Sequence, residues 1–504
     1  MLELETGLAP AISNRQLPKK LAIIIMGNEI PSDHFNLEDL KQFDARLEHE
    51  TDIMHQWFSQ ERFAHEQRMF GYELEAWLID KNSLPSPVNE QFLKMLNHPL
   101  VVPELASFNI ELNSLPQHLS GNVFSDMQHN LNQICDLCRR QAQLLGSDML
   151  TIGILPTVRE TDLSLQNMSN SPRYRALNEQ VLRLRQGKPL HINIKGDELL
   201  RMQHDDVMLE AAATSFQLHL QVPLNLATRY YNAAIILSGP MVAATGNAPF
   251  LFGKRLWEET RIPLFEQAVS IGGHGQRIDV EGDLKRVFFG TGYARDSLME
   301  CFQENYEHFP AILPVLFDDP PEKMAHLRLH NGTIWRWNRP LIGFDEQGEP
   351  HLRIEHRVIS AGPSVVDIVA NAVLFTGAVK SLIERQQPPE LELIFNHARH
   401  NFYRAARLGL TADLHWLGDK HINAQALLLE QLIPLARSGL EQLEINSQDI
   451  QYYLGIIAQR VKSGQTGTNW QQRYAASHHY DMQTLTARYA KLQQSGMPVH
   501  EWPV

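Results

Sequence analysis

Acidic, imidazole and guanidinium side chains recur at every second position in four short stretches of this chain, the spacing that puts them on one face of a β-strand. In GYELEAWLID that face carries Glu73, Glu75 and Trp77, and in SFNIELNS it carries Asn109, Glu111 and Asn113. In TSFQLHLQV it carries Ser215, Gln217, His219 and Gln221, and in HLRIEHRVI it carries Arg353, Glu355 and Arg357. A face meant for water would mix in Lys and Thr, whereas these carry Glu, Asn, Gln, His and Arg without a Lys. Neighbouring carboxylates resist ionising together unless a cation neutralises them. Carboxylates with a single imidazole favour a hard, oxygen-preferring ion such as Mg2+ or Mn2+ over zinc or a calcium loop. Magnesium usually arrives with phosphate, and Arg357, on the same face as Glu355, is spaced to hold a phosphoryl group beside it.

A second cluster, HLRLHNGTIWRWNRP, gathers Arg328, His330, Arg336 and Arg339 around Trp335 and Trp337. Alternation predicts Thr333, Trp335, Trp337 and Arg339 on one face, with Arg339 either a carboxylate or phosphate clamp or a structural salt bridge. The Gly-rich segments Ser270 to Gln276, Gly290 to Gly292 and Ser463 to Trp470 could close over phosphates or serve as ordinary turns. A P-loop, a GxGxxG opening a helix and a kinase-like lysine strand are all missing, so nucleotide binding of those kinds is excluded. A GxSxG elbow is missing too, which argues against a serine nucleophile.

The elements that must position these residues are an α+β mixture. From about Asn36 to Arg68 the spacing of Leu37, Leu40, Phe43, Leu47, Ile53 and Trp57 predicts a helical prelude. Between Gly71 and Ile359 strands interleave with helices, among them Met127 to Leu145 and Arg229 to Val242. After Gln386-Gln387-Pro388-Pro389 the pattern is almost wholly helical through Leu492. The expected divisions are 1–65, 66–388 and 389–504. A composition of 43% hydrophobic and 20% charged residues over 504 positions is that of a folded globular chain. The net charge of −13 argues against nucleic acid and anionic membrane as partners. Leu21 to Met26, the longest apolar run near the start, is too short for a span, and a cytoplasmic protein is expected. Cys135 and Cys138 form a CxxC on a helical pattern that faces both toward the core, so a redox or metal pair is disfavoured.

The constellation resembles the carboxylate-amine ligases of the glutamate-cysteine ligase family, which share the polar-faced antiparallel sheet of glutamine synthetase. The resemblance rests on GYELE (Gly71 to Glu75), IELNS around Glu111, Gln217 to His219, NAPFLFG (Asn247 to Gly253) with Arg261, and WNRP (Trp337 to Pro340). RIEHR (Arg353 to Arg357), PSVVD (Pro363 to Asp367) and NFYRAARLG (Asn401 to Gly409) complete it. It implies a largely antiparallel sheet with a polar ligand-binding face, flanked by helices, and helical N- and C-terminal regions. It also implies ATP with Mg2+, or Mn2+, and an acyl-phosphate route to an amide bond, as in glutathione biosynthesis. Glu73, His219 and Glu355 would then bind the metal on the nucleotide-phosphate side, with Gln217 and Arg357 beside them, and Glu75 and Glu111 the metal nearer the amino acid. Glu75, Arg339 and Arg357 would be catalytic, and Asn113, Arg339 and Trp335 would contact substrate. Many members have His-x-His where this chain has Gln217-Leu218-His219. The alternative is a non-catalytic nucleotide or amino-acid binding paralogue acting through a protein partner. Small-molecule substrates are the expected partners, with a homo-oligomer possible.

Overall fold

The computed structural model describes residues 30, 34–64, 68–271 and 285–504. At its centre is an antiparallel sheet of eight strands. They are β1 (Met69–Asp80), β2 (Val101–Pro103), β3 (Asn109–Asn113), β4 (Gln117–His118), β5 (Ser147–Leu150), β6 (Ser215–Val222), β7 (Asn338–Phe344) and β8 (Pro350–Ser360). The order is β7-β8-β6-β1-β3-β2, with β4 and β5 also pairing with β1. This is the α+β class with the antiparallel sheet expected from the sequence.

Register brings the four polar stretches together. Glu75 lies opposite Glu111, Glu73 opposite Asn113 on one side and Gln217 on the other, and Glu355 opposite both His219 and Arg339. Directly opposed residues share a face, so one side of the sheet is lined with titratable groups. The other side presents Leu74, Ile110, Leu218 and Ile354, all fully buried.

Helices Ala227–Thr245 and Val365–Ile383 are buried along almost their whole length. The second is the one helix among the described residues long and apolar enough to cross a membrane, and 94% of its apolar window is buried inside the protein. Helix Ile433–Gln442 approaches it so closely that a Cβ at Gly439 would lie 2.0 Å from the carbonyl of Gly377. Only glycine permits that crossing. The buried apolar cluster runs from the N-terminal helix to Trp502, so all three expected divisions contribute to one core.

The N-terminal helix spans Leu37–Ser59, opened by an Asn36 capping box with Asp39. It stops nine residues short of the expected Arg68. Glu61, at φ 54°, closes a Schellman turn in which the N–H of Arg62 reaches the carbonyl of Trp57. Phe63 then folds back onto Phe58, with ring centroids 4.9 Å apart. Buried Glu50 anchors this helix, bonding His326 Nδ1 at 2.5 Å and the Leu327 N–H at 2.8 Å.

Two further expectations need correction. The C-terminal region contains a hairpin, Asp413–Trp416 with Lys420–Asn423, whose turn uses positive φ at Gly418 and Asp419. Of the residues that alternation placed on one face, Trp335 lies in a separate ladder with Val287 and Arg339 in the central sheet, while Ala325–Gly332 before them is a helix. Cys135 and Cys138 are buried core residues, and burial pushes the Cys135 thiol up to about 11.

Candidate active site

The polar sheet face carries a narrow cleft lined by Glu75, Glu104, Asn109, Glu210, Arg261, Trp337 and Arg357, among others. Among the described residues, two groups have ligand-capable atoms all within 4.8 Å of one another: Glu73, His219 and Glu355, and Glu75, Glu104 and Glu111. Glu73 and Glu75 are two residues apart on β1, about 7 Å along the strand, so the groups are neighbours.

In the first group, His219 Nε2 lies 3.2 Å from Glu73 Oε1 and 3.8 Å from Glu355 Oε1. Both ring nitrogens of His219 are buried without a hydrogen-bond partner. An imidazole aimed at two carboxylates in this way suits a cation between them. Glu355 is already gripped by Arg339, through Nε to Oε2 at 2.8 Å and NH2 to Oε1 at 2.9 Å, and Arg357 NH1 stands 3.2 Å from Oε2. Burial would raise its carboxyl. Arg339, Arg357 and His219 outweigh burial and hold it well below the usual carboxylate range.

The second group is the reverse. Glu75 accepts from Ser215 N at 2.6 Å, Ser215 Oγ at 3.1 Å and Gln217 Nε2 at 2.9 Å. Burial, with Glu104 beside it, still pushes its carboxyl up to about 7. Glu111 is also raised well above the usual carboxylate range, through burial and the charges of Glu73, Glu104 and Glu75. Glu210, one of whose oxygens is buried without a partner, is raised to about 8 by burial and by Glu104 and Glu75. The donor chemistry of this pocket, carboxylate oxygens short of positive charge, fits a divalent cation.

Gln217 joins the two groups. Its Nε2 donates to Glu75 and its Oε1 accepts from Arg357 NH1. Because Glu75 only accepts and Arg357 only donates, the amide orientation is forced, and a single imidazole tautomer could serve both only by splitting its ring nitrogens. Arg357 sits at a break in the β8 to β6 ladder between His356 and Ile359, which re-aims it toward the cleft. Arg261 fixes that break by donating to the Val358 carbonyl at 2.6 Å, and it stacks 5.4 Å over the Trp337 ring.

Residues 69–488 match the model of glutamate-cysteine ligase family 2. The chain belongs to that family. As a member it is a ligase. A glutamate–cysteine ligase from Francisella tularensis, described in complex with AMP, is 12% identical, with a TM-score of 0.54 over 88% of this chain and 91% of that one. A bifunctional glutathione synthetase from Pasteurella multocida is 11% identical, with a TM-score of 0.48 over 88% of this chain and 54% of that one. The first likeness shows that the fold is shared. No curated protein matches the sequence.

Several residues that the family pattern assigns to ligands have other engagements here. Arg339 is 4% exposed, and beyond its fork onto Glu355 its NH1 reaches the Gly332 carbonyl at 3.2 Å. It is a salt-bridge partner that sets Glu355, not an open clamp. Asn113 donates to Glu111 Oε1 at 2.8 Å, orienting a carboxylate. Trp335 pairs with Val287 in a separate two-stranded parallel ladder, and it is Trp337 that lines the cleft. Its indole N–H is held by Glu266 Oε1 at 3.0 Å. Of the other cluster residues, Arg336 binds Glu304 at 2.8 Å and His330 contacts the Asn305 carbonyl at 3.1 Å.

The Gly-rich segments also resolve into structure. Gly467 packs against Asn247, where a Cβ would lie 2.0 Å from Oδ1, so Ser463 to Trp470 is the end of one helix and the core-locked start of the next. Gly290 (φ 114°) backs onto Tyr231 and Phe395. Of Ser270 to Gln276, the part from residue 272 on lies outside the described residues. Glu104 and Glu210 are the acids that sequence periodicity missed, because one follows Pro103 in a loop and the other sits in the short 3-10 helix Val207–Ala212. Asn109 belongs to the alternating face, and both its amide atoms are buried and unpartnered at the cleft.

Proposed function

We propose that this protein is an ATP-dependent carboxylate–amine ligase that activates a glutamate-like carboxylate as an acyl phosphate and joins it to an amine such as cysteine. The product would be a γ-glutamyl amide of the kind made in glutathione biosynthesis. The observation that carries this reading is the pair of ligand-capable clusters side by side on one sheet face, with Arg357 reaching Glu355 directly and Glu75 through Gln217. Glu73, His219 and Glu355 would hold a divalent cation on the nucleotide side, and Glu75, Glu104 and Glu111 one on the amino-acid side. Mg2+ or Mn2+ bound there would neutralise phosphate charge.

The substrate carboxylate displaces ADP from the γ-phosphorus; the amine then displaces phosphate from the acyl carbon and gives up a proton. Positioning and electrostatics, without a protein nucleophile, carry such transfers. Arg357 keeps its charge, because Glu355, Glu75 and Glu73 outweigh the burial that opposes it, and it follows the transferring phosphoryl group. Asn109, with two unused amide groups, is suited to fix the amino acid. Glu210, poised near 8, could receive the proton of the amine. The AMP bound to the Francisella ligase supports a nucleotide as substrate. Three unpaired, buried cysteines are consistent with a reducing cytoplasm.

The test is a panel of amino acids and amines read by ADP release, with mass spectrometry of the product. Release should require Mg2+ or Mn2+ and both substrates. It should vanish in Glu75→Gln, a variant that keeps the shape of the site. A panel giving no ADP above background would reject the reading.

A further inference from the structure

Four imidazoles gather on elements that supply none of the cleft residues. Helix Phe395–Leu408 carries His397 and His400, one turn apart, and the hairpin beside it carries His415 and His421 as direct cross-strand partners. The His415 ring lies 3.9 Å from His397, 4.2 Å from His421 and 5.5 Å from His400, centroid to centroid. Asn401 pins His415 to the helix by two bonds, from its Nδ2 to the His415 carbonyl at 2.7 Å and from the His415 N–H to its Oδ1 at 2.8 Å.

Stacking alone does not account for this set, since Phe or Tyr would stack equally well without bringing ring nitrogens together. His415 Nδ1 is buried with no hydrogen-bond partner. Burial and the three neighbouring imidazoles push the His415 ring below the usual histidine range, against the pull of Asp419. Imidazoles gathered in this way offer ring-nitrogen lone pairs, which are what a metal of intermediate softness needs.

We propose that His397, His400, His415 and His421 form a second metal site, one that takes an imidazole-preferring divalent transition ion of the zinc, nickel or copper class. Its chemistry is distinct from that of the oxygen-rich cleft, which suits Mg2+ or Mn2+. His415 is the fixed ligand. His400 and His421, both exposed, turn about their side-chain bonds to meet the ion, because the rings of His397 and His415 are stacked within 7° of parallel and do not converge as they stand. Asp419 is the nearby oxygen donor that could complete the shell. A bound ion would staple the hairpin to the helix, and the inference stands whether or not the cleft is a ligase site.

The experiment uses the full chain, stripped with chelator and then held in saturating Mg2+ so that the carboxylate groups are occupied. Zn2+ is titrated calorimetrically, and Cu2+ is added separately for electron paramagnetic resonance, which counts coupled nitrogens. Wild type should take up Zn2+ in the presence of Mg2+ and show several coupled nitrogens. The exposed-site double variant H400Q/H421Q should bind Zn2+ at least about ten-fold more weakly and lose nitrogen couplings, while H219Q, in the cleft, should keep both. Equal Zn2+ affinity and equal nitrogen coupling in wild type and H400Q/H421Q, or loss in H219Q instead, would overturn the proposal.

Discussion

Glu355 and Glu111 share a sheet face, are both hidden from water, and titrate in opposite directions. Burial raises both. Glu355 alone is flanked by guanidiniums, Arg339 in a two-pronged grip and Arg357 at 3.2 Å, whereas Glu111 looks onto Glu73, Glu104 and Glu75. One half of the site is therefore charge-balanced by the chain itself, and the other leaves its balance to whatever binds. Glu355 owes its balance to Arg339, which lies directly across the ladder from it, whereas no guanidinium lies opposite Glu111, which faces Glu75.

The contrast can be broken most forcefully at Arg357, which touches both halves. Arg357→Lys keeps the charge but loses the planar fork. It should lower turnover about 10²- to 10³-fold with nucleotide affinity nearly unchanged, as measured by pre-steady-state kinetics and equilibrium binding. Wild-type turnover would remove the residue from the mechanism. Next in size is Arg339→Lys, which dismantles the grip on Glu355 and should cost about 2 kcal/mol in denaturant unfolding. Cation affinity of the Glu111 half should be untouched, and a loss there would mean that the two halves are not separable.

Acidity should sharpen the comparison. With its carboxyl raised from the ordinary 4.5 to about 7, Glu75 binds its proton more tightly when folded, and Glu210, raised to about 8, does the same. The native protein then carries more protons than the unfolded chain between about pH 4.5 and 8, so metal-free stability should fall as pH rises through that window. The loss should be of order 1 kcal/mol or more per group. Mg2+ should flatten the profile and release protons as it binds, visible as a buffer-dependent heat at pH 6.5. No proton release there would contradict the raised carboxyls. The smallest effect concerns the two tryptophans: Trp337→Phe should raise KM for one substrate several-fold, while Trp335→Phe should leave it almost unchanged.

What was legible in the sequence follows from period. Strand alternation is set by covalent geometry, so Glu73, Glu75, Glu111, His219, Glu355 and Arg357 could be grouped before any register was known. Which of them meet is a matter of long-range pairing, and that is why the sequence left Arg339 open between a clamp and a salt bridge, when it is spent on Glu355. Glu104 and Glu210 lie where no period operates. An acid following Pro103 between two strands was the only sign of the first. In the stretch from Ala325 to Gly332, the buried positions His326, Leu327, His330 and Asn331 follow a helical spacing. The strand-like tryptophan repeat just downstream masked it.

The threonine that follows β5 shows what this architecture asks of synthesis. Thr151 gives its carbonyl to Gln493 Nε2 at 2.7 Å and to the Tyr489 hydroxyl at 3.1 Å, and its N–H to Gln493 Oε1 at 3.1 Å. Tyr489 in turn receives Asn247. Gln493 is 342 residues downstream, so a ribosome working at about 5–20 residues per second exposes Thr151 roughly 17 to 70 seconds before its partner exists. Through that interval the strand pairing with β1 at the edge of the site has no cap, and the nascent chain carries an incomplete, chaperone-accessible sheet. The cap on β5 is thus made long after the strand it holds.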